Sequence, residues 1–156
     1  MRLYSRPGND ISKRFSAIAE AVADLPRRSL VLDGELVAFN EADRPDFHLL
    51  RSKRPYVVAW FFDLLSIDGT SLRRQPWFER RRRLERVMAR HTNPLLQLND
   101  LWEDGELLLR ACDEQGLEGI VSKLRSAPYI SGPTDAWVKV KVAGWTESNR
   151  SRFKRR

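Results

Sequence analysis

Residues 30–39 read LVLDGELVAF, a β-forming run with Asp33, Gly34 and Glu35 at its centre. Valine and phenylalanine are enriched in strands, whereas aspartate and glycine are depleted there. Charged side chains are rarely buried without a partner. A strand therefore does not normally carry two carboxylates flanking a glycine unless they have a use. We predict a strand over residues 29–39 whose polar centre belongs to a functional site.

The segments on either side predict strands and helices without a strict strand–helix–strand repeat. A second strand is predicted over residues 56–67, which are apolar and aromatic and close at Asp68 and Gly69. A helix is predicted after Ser12, because apolar residues recur at helical spacing until Pro26 ends it. Further helices are predicted at residues 76–90 and 104–115, and strands at 95–101, 119–124 and 137–142. The pattern indicates a mixed α and β domain and leaves its topology open.

Length and composition narrow the class of protein. The chain has 156 residues, of which 42% are hydrophobic, enough for one core. No apolar run approaches the roughly 18 residues of a membrane span, and the N-terminus lacks the apolar stretch of a signal peptide. The single cysteine, Cys112, excludes an intrachain disulfide and a cysteine-based metal cage. We therefore expect a cytoplasmic protein with no membrane partner.

The charge balance favours a polyanionic partner. The formal net charge is +7 and the isoelectric point is about 10.1, and such proteins gain affinity for phosphates through released counterions. The alternative is that arginine-rich helices only solvate an ordinary domain. Composition alone does not decide between the two.

Two acidic sites come from distant parts of the chain, at Asp33-Gly34-Glu35 and at Glu118-Gly119. Carboxylates held on separate strands are a common way to bind a divalent cation beside a phosphate. The alternative is turn chemistry, since Asp-Gly and Glu-Gly also form ordinary turns. We accept that alternative for Asp104-Gly105.

Lysines accompany the acidic sites. Residues 137–141 read WVKVK, and strand alternation places Trp137, Lys139 and Lys141 on one face and the two valines on the other, against a core. Lys123 has a similar setting in the preceding strand. Each lysine alone is typical of a solvated face, whereas together with the carboxylates they indicate a triphosphate site. Phe62 adds an aromatic ring that can stack on a purine.

Five short motifs, in this order, resemble those of the covalent nucleotidyltransferase superfamily, most closely the ATP-dependent DNA ligases of the bacterial end-joining type. They are RLYSRPGND at residues 2–10 (motif Ia), LDGELV at 32–37 (motif III), FDLL at 62–65 with Asp68-Gly69 (motif IIIa), EGIVSK at 118–123 (motif IV) and WVKVK at 137–141 (motif V). The resemblance covers residues 2–142. It implies an α+β adenylation domain in which antiparallel sheets flanked by helices enclose a nucleotide cleft.

The resemblance also implies which residues bind the nucleotide. Arg6 is expected to contact the ribose or the reacting phosphate, and Phe62 to stack on adenine. Glu35 is expected to bind a ribose hydroxyl or the metal ion. Lys123 is expected among the nucleotide-binding residues, and Asp33 matches a motif position without a firm role.

The same resemblance implies ATP and Mg²⁺ as cofactors. Glu118 is expected to hold the catalytic ion, with Glu35 as a second candidate ligand. Lys139 and Lys141 are expected to bind the α-phosphate and to assist the departure of pyrophosphate. The family reaction is the ATP-driven sealing of DNA strand breaks through enzyme–AMP and DNA–AMP intermediates, in repair and recombination.

The chain departs from the family pattern at its nucleophile. The family's Lys-x-Asp-Gly is absent, because the Asp-Gly pairs at residues 33, 68 and 104 are preceded two positions earlier by Val31, Ser66 and Trp102. Arginine cannot replace that lysine, since guanidinium stays protonated. We expect residues 1–142 to be a partial adenylation domain, truncated before motif Ia and after motif V, lacking its first strand and the OB-fold. We expect it to be unable to self-adenylate alone.

Alternatives and partners follow from this departure. A non-catalytic nucleotide- or DNA-binding module is one alternative, and an RNA ligase or capping-type guanylyltransferase ranks lower. An unpaired sheet edge makes a homodimer a further expectation. Non-specific duplex DNA is the expected macromolecular partner. Its candidate contacts are Arg80, Arg81, Arg82 and Arg83, together with Arg150 and Arg152 in a basic tail at residues 143–156 that we expect to be flexible.

Overall fold

The computed structural model describes residues 1–26, 29–52 and 55–145. These residues form two β-sheets and three α-helices that pack against them. The predicted α+β fold is confirmed. The helices are α1 (Ser16–Ala23), α2 (Trp77–Met88) and α3 (Gly105–Glu114), and the strands are β1 (Leu30–Ala38), β2 (Val57–Ile67), β3 (Thr70–Ser71), β4 (Leu96–Leu98), β5 (Gly119–Lys123) and β6 (Trp137–Lys141). No helix of the described residues is both long and apolar enough to cross a membrane.

The first sheet contains β1 to β4, with β2 at its centre. β1 and β3 pair with β2 in antiparallel fashion, and the short β4 adds a parallel pair. Helices α1 and α2 pack against this sheet, mainly on β2 and β4. The side chains of Leu64, Leu84 and Leu96 are almost fully buried between them, so the main hydrophobic core lies on one face of the first sheet.

The pairing of β1 with β2 is interrupted by two β-bulges. Asp33 pairs with Asp63, but Gly34 pairs with Phe61, so Phe62 is an extra residue on β2. Bulges of this kind re-aim side chains and are common beside active sites. Gly34 is required here because a Cβ at this position would lie 2.6 Å from the Trp60 carbonyl oxygen. The glycine between the two carboxylates therefore allows close strand packing at the bulge.

The second sheet is the antiparallel pair β5–β6, covered by α3. The Asp104 carboxylate caps α3 by accepting hydrogen bonds from the amides of Glu106 and Leu107, which is a more specific role than the turn we predicted. The prediction that Val138 and Val140 face a core is wrong, because their side chains are 51% and 36% exposed. The face of β6 opposite the lysines is thus largely open to solvent.

The first helix begins later than its sequence pattern indicates. The sequence predicted a helix directly after Ser12, but α1 begins at Ser16 and residues 12–15 form a turn. The Ser12 hydroxyl instead accepts a hydrogen bond from the Leu3 amide at 2.8 Å. This contact ties the N-terminal segment to the turn before α1.

Two of the arginines predicted to contact DNA are inside the protein. Arg80 is fully buried and donates two 2.8 Å hydrogen bonds to the Asp63 carboxylate. Arg81 is 4% exposed and bonds to Glu85 and Asn99. The prediction that Arg80 and Arg81 form part of a DNA-binding surface is therefore wrong. The physical reason lies in the helical period, which places both on the face of α2 that packs on the sheet.

Of the remaining arginines in that prediction, Arg82 and Arg83 are exposed on α2. Arg150 and Arg152, with most of the predicted basic tail, lie outside the described residues.

Candidate functional site

Most of the predicted site residues come together where the two sheets face each other, a region called the cleft below. The first sheet contributes Asp33 and Glu35 from β1, and Phe62 from β2. The second sheet contributes the residues of motifs IV and V, namely Glu118, Lys123, Trp137, Lys139 and Lys141. Contacts join the two sets directly: the rings of Phe62 and Trp137 lie edge to face with centroids 6.1 Å apart, and Glu35 interacts electrostatically with Lys139.

An acidic–basic cluster occupies one end of the cleft. The Glu118 carboxylate accepts hydrogen bonds from the ammonium groups of Lys139, at 2.8 Å, and Lys141, at 3.1 Å. Burial opposes ionisation of Glu118, but these lysines outweigh it and hold its pKa below the ordinary value. Burial raises the pKa of Glu35, despite the opposing charge of Lys139. Both lysine side chains are about half exposed, so their charges can reach a ligand.

Gly119 brings the Glu118 segment onto β6. Its φ is +145°, and a Cβ there would lie 2.1 Å from the Val140 carbonyl oxygen. Only glycine combines this backbone conformation with such a close approach. The Glu118-Gly119 pair is therefore a packing requirement of the second sheet as well as a source of a carboxylate.

An aromatic box surrounds the Lys123 amine. Its Nζ lies 4.1 Å from the ring centroid of Trp137, 4.2 Å from that of Phe62 and 5.6 Å from that of Trp77. Cation–π attraction stabilises an ammonium there, but the side chain is largely withdrawn from water. Burial lowers the pKa of Lys123 to about 8, against smaller opposing effects of Asp63 and Asp33.

Tyr129 fixes the β5–β6 connection to the first sheet. Its hydroxyl donates a 2.9 Å hydrogen bond to the Asp33 carboxylate, and its ring contacts Trp137 edge to face. The guanidinium group of Arg73 lies over the same ring, 5.1 Å from its centroid. Burial raises the pKa of Tyr129 to about 12, and burial also raises that of Asp33. Asp33 thereby gains a role in joining the two walls of the cleft.

Sequence reasoning missed Tyr129, Arg73 and Trp77 as parts of the site. Tyr129 follows Pro128 in the loop between the predicted strands at residues 119–124 and 137–142. A large aromatic residue within a polar loop was the available signal, because such side chains usually find a packing surface. Trp77 is buried on α2, at 7% exposed, and nothing in the sequence indicated that Lys123 lies near it.

Arg6 is the predicted site residue that the structure does not join to the others. It is exposed in the turn before Gly8. Within residues 1–26, 29–52 and 55–145, no hydrogen bond or ion pair links it to the cleft. Its expected contact with ribose or phosphate stays a prediction.

The carboxylates fit one kind of metal binding. The described residues contain no group of three or more His, Cys, Asp or Glu side chains placed to hold a metal ion. Mg²⁺ is usually bound by one or two carboxylates together with substrate phosphates. Glu118 and Glu35, which interact electrostatically, suit that arrangement and not a closed protein cage.

Comparison with known proteins assigns the family. Residues 1–141 match the model of the ATP dependent DNA ligase domain. The chain is 34% identical to the multifunctional non-homologous end joining protein LigD of Pseudomonas aeruginosa, over 97% of its length and 20% of that protein. It is also 34% identical to DNA ligase B of Mycobacterium tuberculosis, over 90% of its length and 31% of that protein.

Solved structures agree with the sequence matches. A mycobacterial DNA ligase D complexed with ATP and MES has a TM-score of 0.76 and 33% identity, and covers 90% of this chain. The ligase domain of M. tuberculosis LigD gives the same values. In both cases the chain covers 47% of the solved one, so it spans less than half of these relatives. The chain belongs to the ATP-dependent DNA ligase domain family.

Proposed function

We propose that this chain binds ATP or AMP in the cleft between its two sheets, as part of an ATP-dependent DNA ligase. The observation that carries the proposal is the meeting of unlike groups in one cleft. An aromatic wall at Phe62, a carboxylate at Glu35 and the Glu118–Lys139–Lys141 cluster come from both sheets. A nucleotide needs a stacking surface at one end and cations at the other, and this cleft provides both.

The cluster around Glu118 holds two cations ready for phosphate. Both lysines pair with the same carboxylate, whose single negative charge does not balance their two positive charges. A phosphate group can replace Glu118 as their partner, because lysine forms charge-assisted hydrogen bonds with phosphate as well as with carboxylate. Glu118 and Glu35 would then be available to Mg²⁺, which when bound neutralises phosphate charge and polarises the phosphoryl oxygens.

The Lys123 amine occupies one face of the ring on which a purine is expected to stack. The Lys123 amine lies against the faces of both Phe62 and Trp137. Adenine can stack on Phe62 at the expense of this cation–π contact, or on the opposite ring face. Stacking on an aromatic side chain contributes about 1–3 kcal/mol per base, which is comparable with the roughly 2 kcal/mol of a desolvated cation–π pair.

We also propose that the protein takes part in DNA strand joining. The chain covers 20% to 31% of the curated relatives named above, and its 156 residues contain no Lys-x-Asp-Gly. We therefore expect this chain alone to bind nucleotide without forming a covalent adenylate. Mass spectrometry after incubation with ATP and Mg²⁺ is expected to show the unmodified mass, and an added AMP would contradict that expectation.

Isothermal titration calorimetry with ATP and Mg²⁺ tests the nucleotide site. Phe62→Ala and Lys139→Ala are each expected to weaken binding by about tenfold, the loss of one stacking or charge-assisted contact. Val138→Ala is the matched control, because it changes the neighbouring residue on the opposite, exposed face of β6. Equal affinity of all three variants and the unaltered chain would refute the proposed cleft.

A further inference from the structure

Lys123 differs from the other lysines of the cleft in what touches its amine. Lys139 and Lys141 are paired with Glu118, whereas the Lys123 amine lies against three aromatic rings. The acids that act on it electrostatically have nearer partners. Asp63 is bound through both oxygens by Arg80, and Asp33 accepts the Tyr129 hydroxyl.

A primary amine in this setting is a nucleophile. Only the neutral amine attacks carbon, and desolvation among apolar rings is an established way of activating lysine. With a pKa of about 8, close to half of the Lys123 amines are neutral at pH 8. For an ordinary exposed lysine with a pKa near 10.4, the neutral fraction at this pH is below about 1%.

The surroundings also select the electrophile. The face of the second sheet that carries Lys123 also carries Lys139 and Lys141, because Lys123 pairs with Trp137 and the lysines alternate along β6. Both of these lysine side chains are about half exposed. They favour a ligand with a negative charge, and the rings of the aromatic box favour a planar one.

We propose that Lys123 is a covalent reaction site for small, planar, anionic aldehydes that enter the cleft. The Lys123 nitrogen attacks the carbonyl carbon and forms the C–N bond. The nitrogen gives up its protons, the carbonyl oxygen takes them and leaves as water, and an imine remains. No oxidant or reductant takes part in this step. The proposal does not depend on nucleotide binding, since it requires only the aromatic box and the neighbouring cations.

Limited labelling of the full chain tests the inference. The probe is pyridoxal 5′-phosphate at pH 8, added below the protein concentration, with borohydride to reduce the imine to a stable secondary amine. Peptide mass spectrometry then gives the labelling rate at each lysine. Lys123 is expected to react at least about tenfold faster than Lys13, an exposed lysine in the turn before α1.

Two variants test whether Lys123 is the labelled residue, and a second probe tests whether the negative charge of the aldehyde matters. Lys123→Arg keeps a cation against the rings but removes the amine, so most of the label is expected to disappear. Lys13→Arg is the matched control and is expected to leave the yield unchanged. Pyridoxal, which lacks the phosphate, is expected to label Lys123 several-fold more slowly, and equal rates would overturn the requirement for an anion.

Labelling in proportion to exposure would overturn the inference, as would an unchanged yield in a folded Lys123→Arg variant. Circular dichroism establishes that each variant is folded. Failure here is distinguishable from failure of the proposed function, because ATP affinity is measured separately by calorimetry on the unlabelled chain. A chain that binds ATP but labels indiscriminately would retain the nucleotide site and refute the reactive amine.

Discussion

At the scale of single residues, burial has opposite consequences for Asp63 and Lys123. The buried Asp63 carboxylate is matched by the Arg80 guanidinium in a two-point contact, so both charges are retained inside the core. Among the described residues, the Lys123 amine contacts aromatic rings and no carboxylate, so burial lowers its pKa. A buried charged group stays ionised when a group of opposite charge contacts it, as Arg80 contacts Asp63. Without such a partner its pKa shifts toward the neutral form, as for Lys123.

The Asp63–Arg80 pair gives a prediction for stability. Asp63→Ala leaves a buried guanidinium without its counter-ion, and is expected to lower the free energy of unfolding by about 3–5 kcal/mol. Urea denaturation measures the loss. Arg82→Ala is the control on the same helix, because Arg82 is 59% exposed and its contact with Glu79 is long, at 3.7 Å. A change within about 0.5 kcal/mol is expected there, and similar losses for both variants would contradict the assignment.

The pKa of Lys123 predicts how stability depends on pH. Its folded-state pKa is about 8, below the ordinary 10.5, so the unfolded chain binds more protons between these two values. The free energy of unfolding therefore rises with pH across that window, by at most about 3 kcal/mol. Lys123→Gln removes the titrating group and is expected to lack this rise.

Subtracting the Gln variant's stability curve from that of the unaltered chain isolates the effect. The charges that act on Lys123 are the acids Asp63 and Asp33 and the arginines Arg80 and Arg81, all of which remain in the variant. Urea denaturation at pH 7 to 10 gives both curves. A difference that stays flat, or falls, across this range would show that the Lys123 amine is not withdrawn from water.

At the scale of secondary-structure elements, glycine positions and bulges shape the cleft more than strand propensity does. The sequence predicted β1 and β2 to within a residue or two, and it predicted the carboxylates at their centre. It did not predict the bulge at Phe62, because a bulge depends on the register of two strands and not on either alone. The buried arginines were predictable in principle, since Arg80 and Arg81 lie between Trp77 and Leu84 on one helical face.

Gly119 supplies the prediction for an element. Gly119→Ala places a Cβ against the Val140 carbonyl oxygen and also strains a positive φ, so β5 must separate from β6. Gly132→Ala is the matched control: its φ is also positive, at +109°, but nothing lies within 4 Å of the added Cβ. Backbone strain alone costs about 1–3 kcal/mol. Gly119→Ala is expected to lower the midpoint of thermal unfolding by more than Gly132→Ala does. Equal losses would refute the packing argument.

At the scale of the whole molecule, the site depends on how the two sheets meet. Motif resemblance placed Glu35, Phe62 and Lys139 in one site, and the structure brings them to one cleft. The contacts that hold the walls together, such as Tyr129 with Asp33 and Lys123 with Phe62, join residues far apart in sequence. Propensity and periodicity describe neighbours along the chain, so they carry no information about such contacts.

The net charge of +7 gives a prediction for the whole molecule. We predict that the protein binds duplex DNA without base specificity, with log affinity falling linearly against log salt. Arg82 and Arg83 are the exposed arginines of the 80–83 run. If each neutralises one phosphate, replacing both with glutamine lowers the magnitude of the salt slope by about 1.8, at about 0.9 per phosphate.

Fluorescence anisotropy with a labelled duplex at several salt concentrations measures both slopes. Arg110→Gln is the control, because it removes one exposed arginine from α3, and its slope is expected to stay close to that of the unaltered chain. The alternative is that Arg82 and Arg83 only solvate α2, as the contact of Arg82 with Glu79 allows. Under that alternative the double variant keeps the original slope, and this result would remove α2 from the DNA-binding surface. If the salt slope becomes shallower only in the double variant, Arg82 and Arg83 contact DNA phosphates. The reason is that the slope is proportional to the number of phosphates that the protein neutralises.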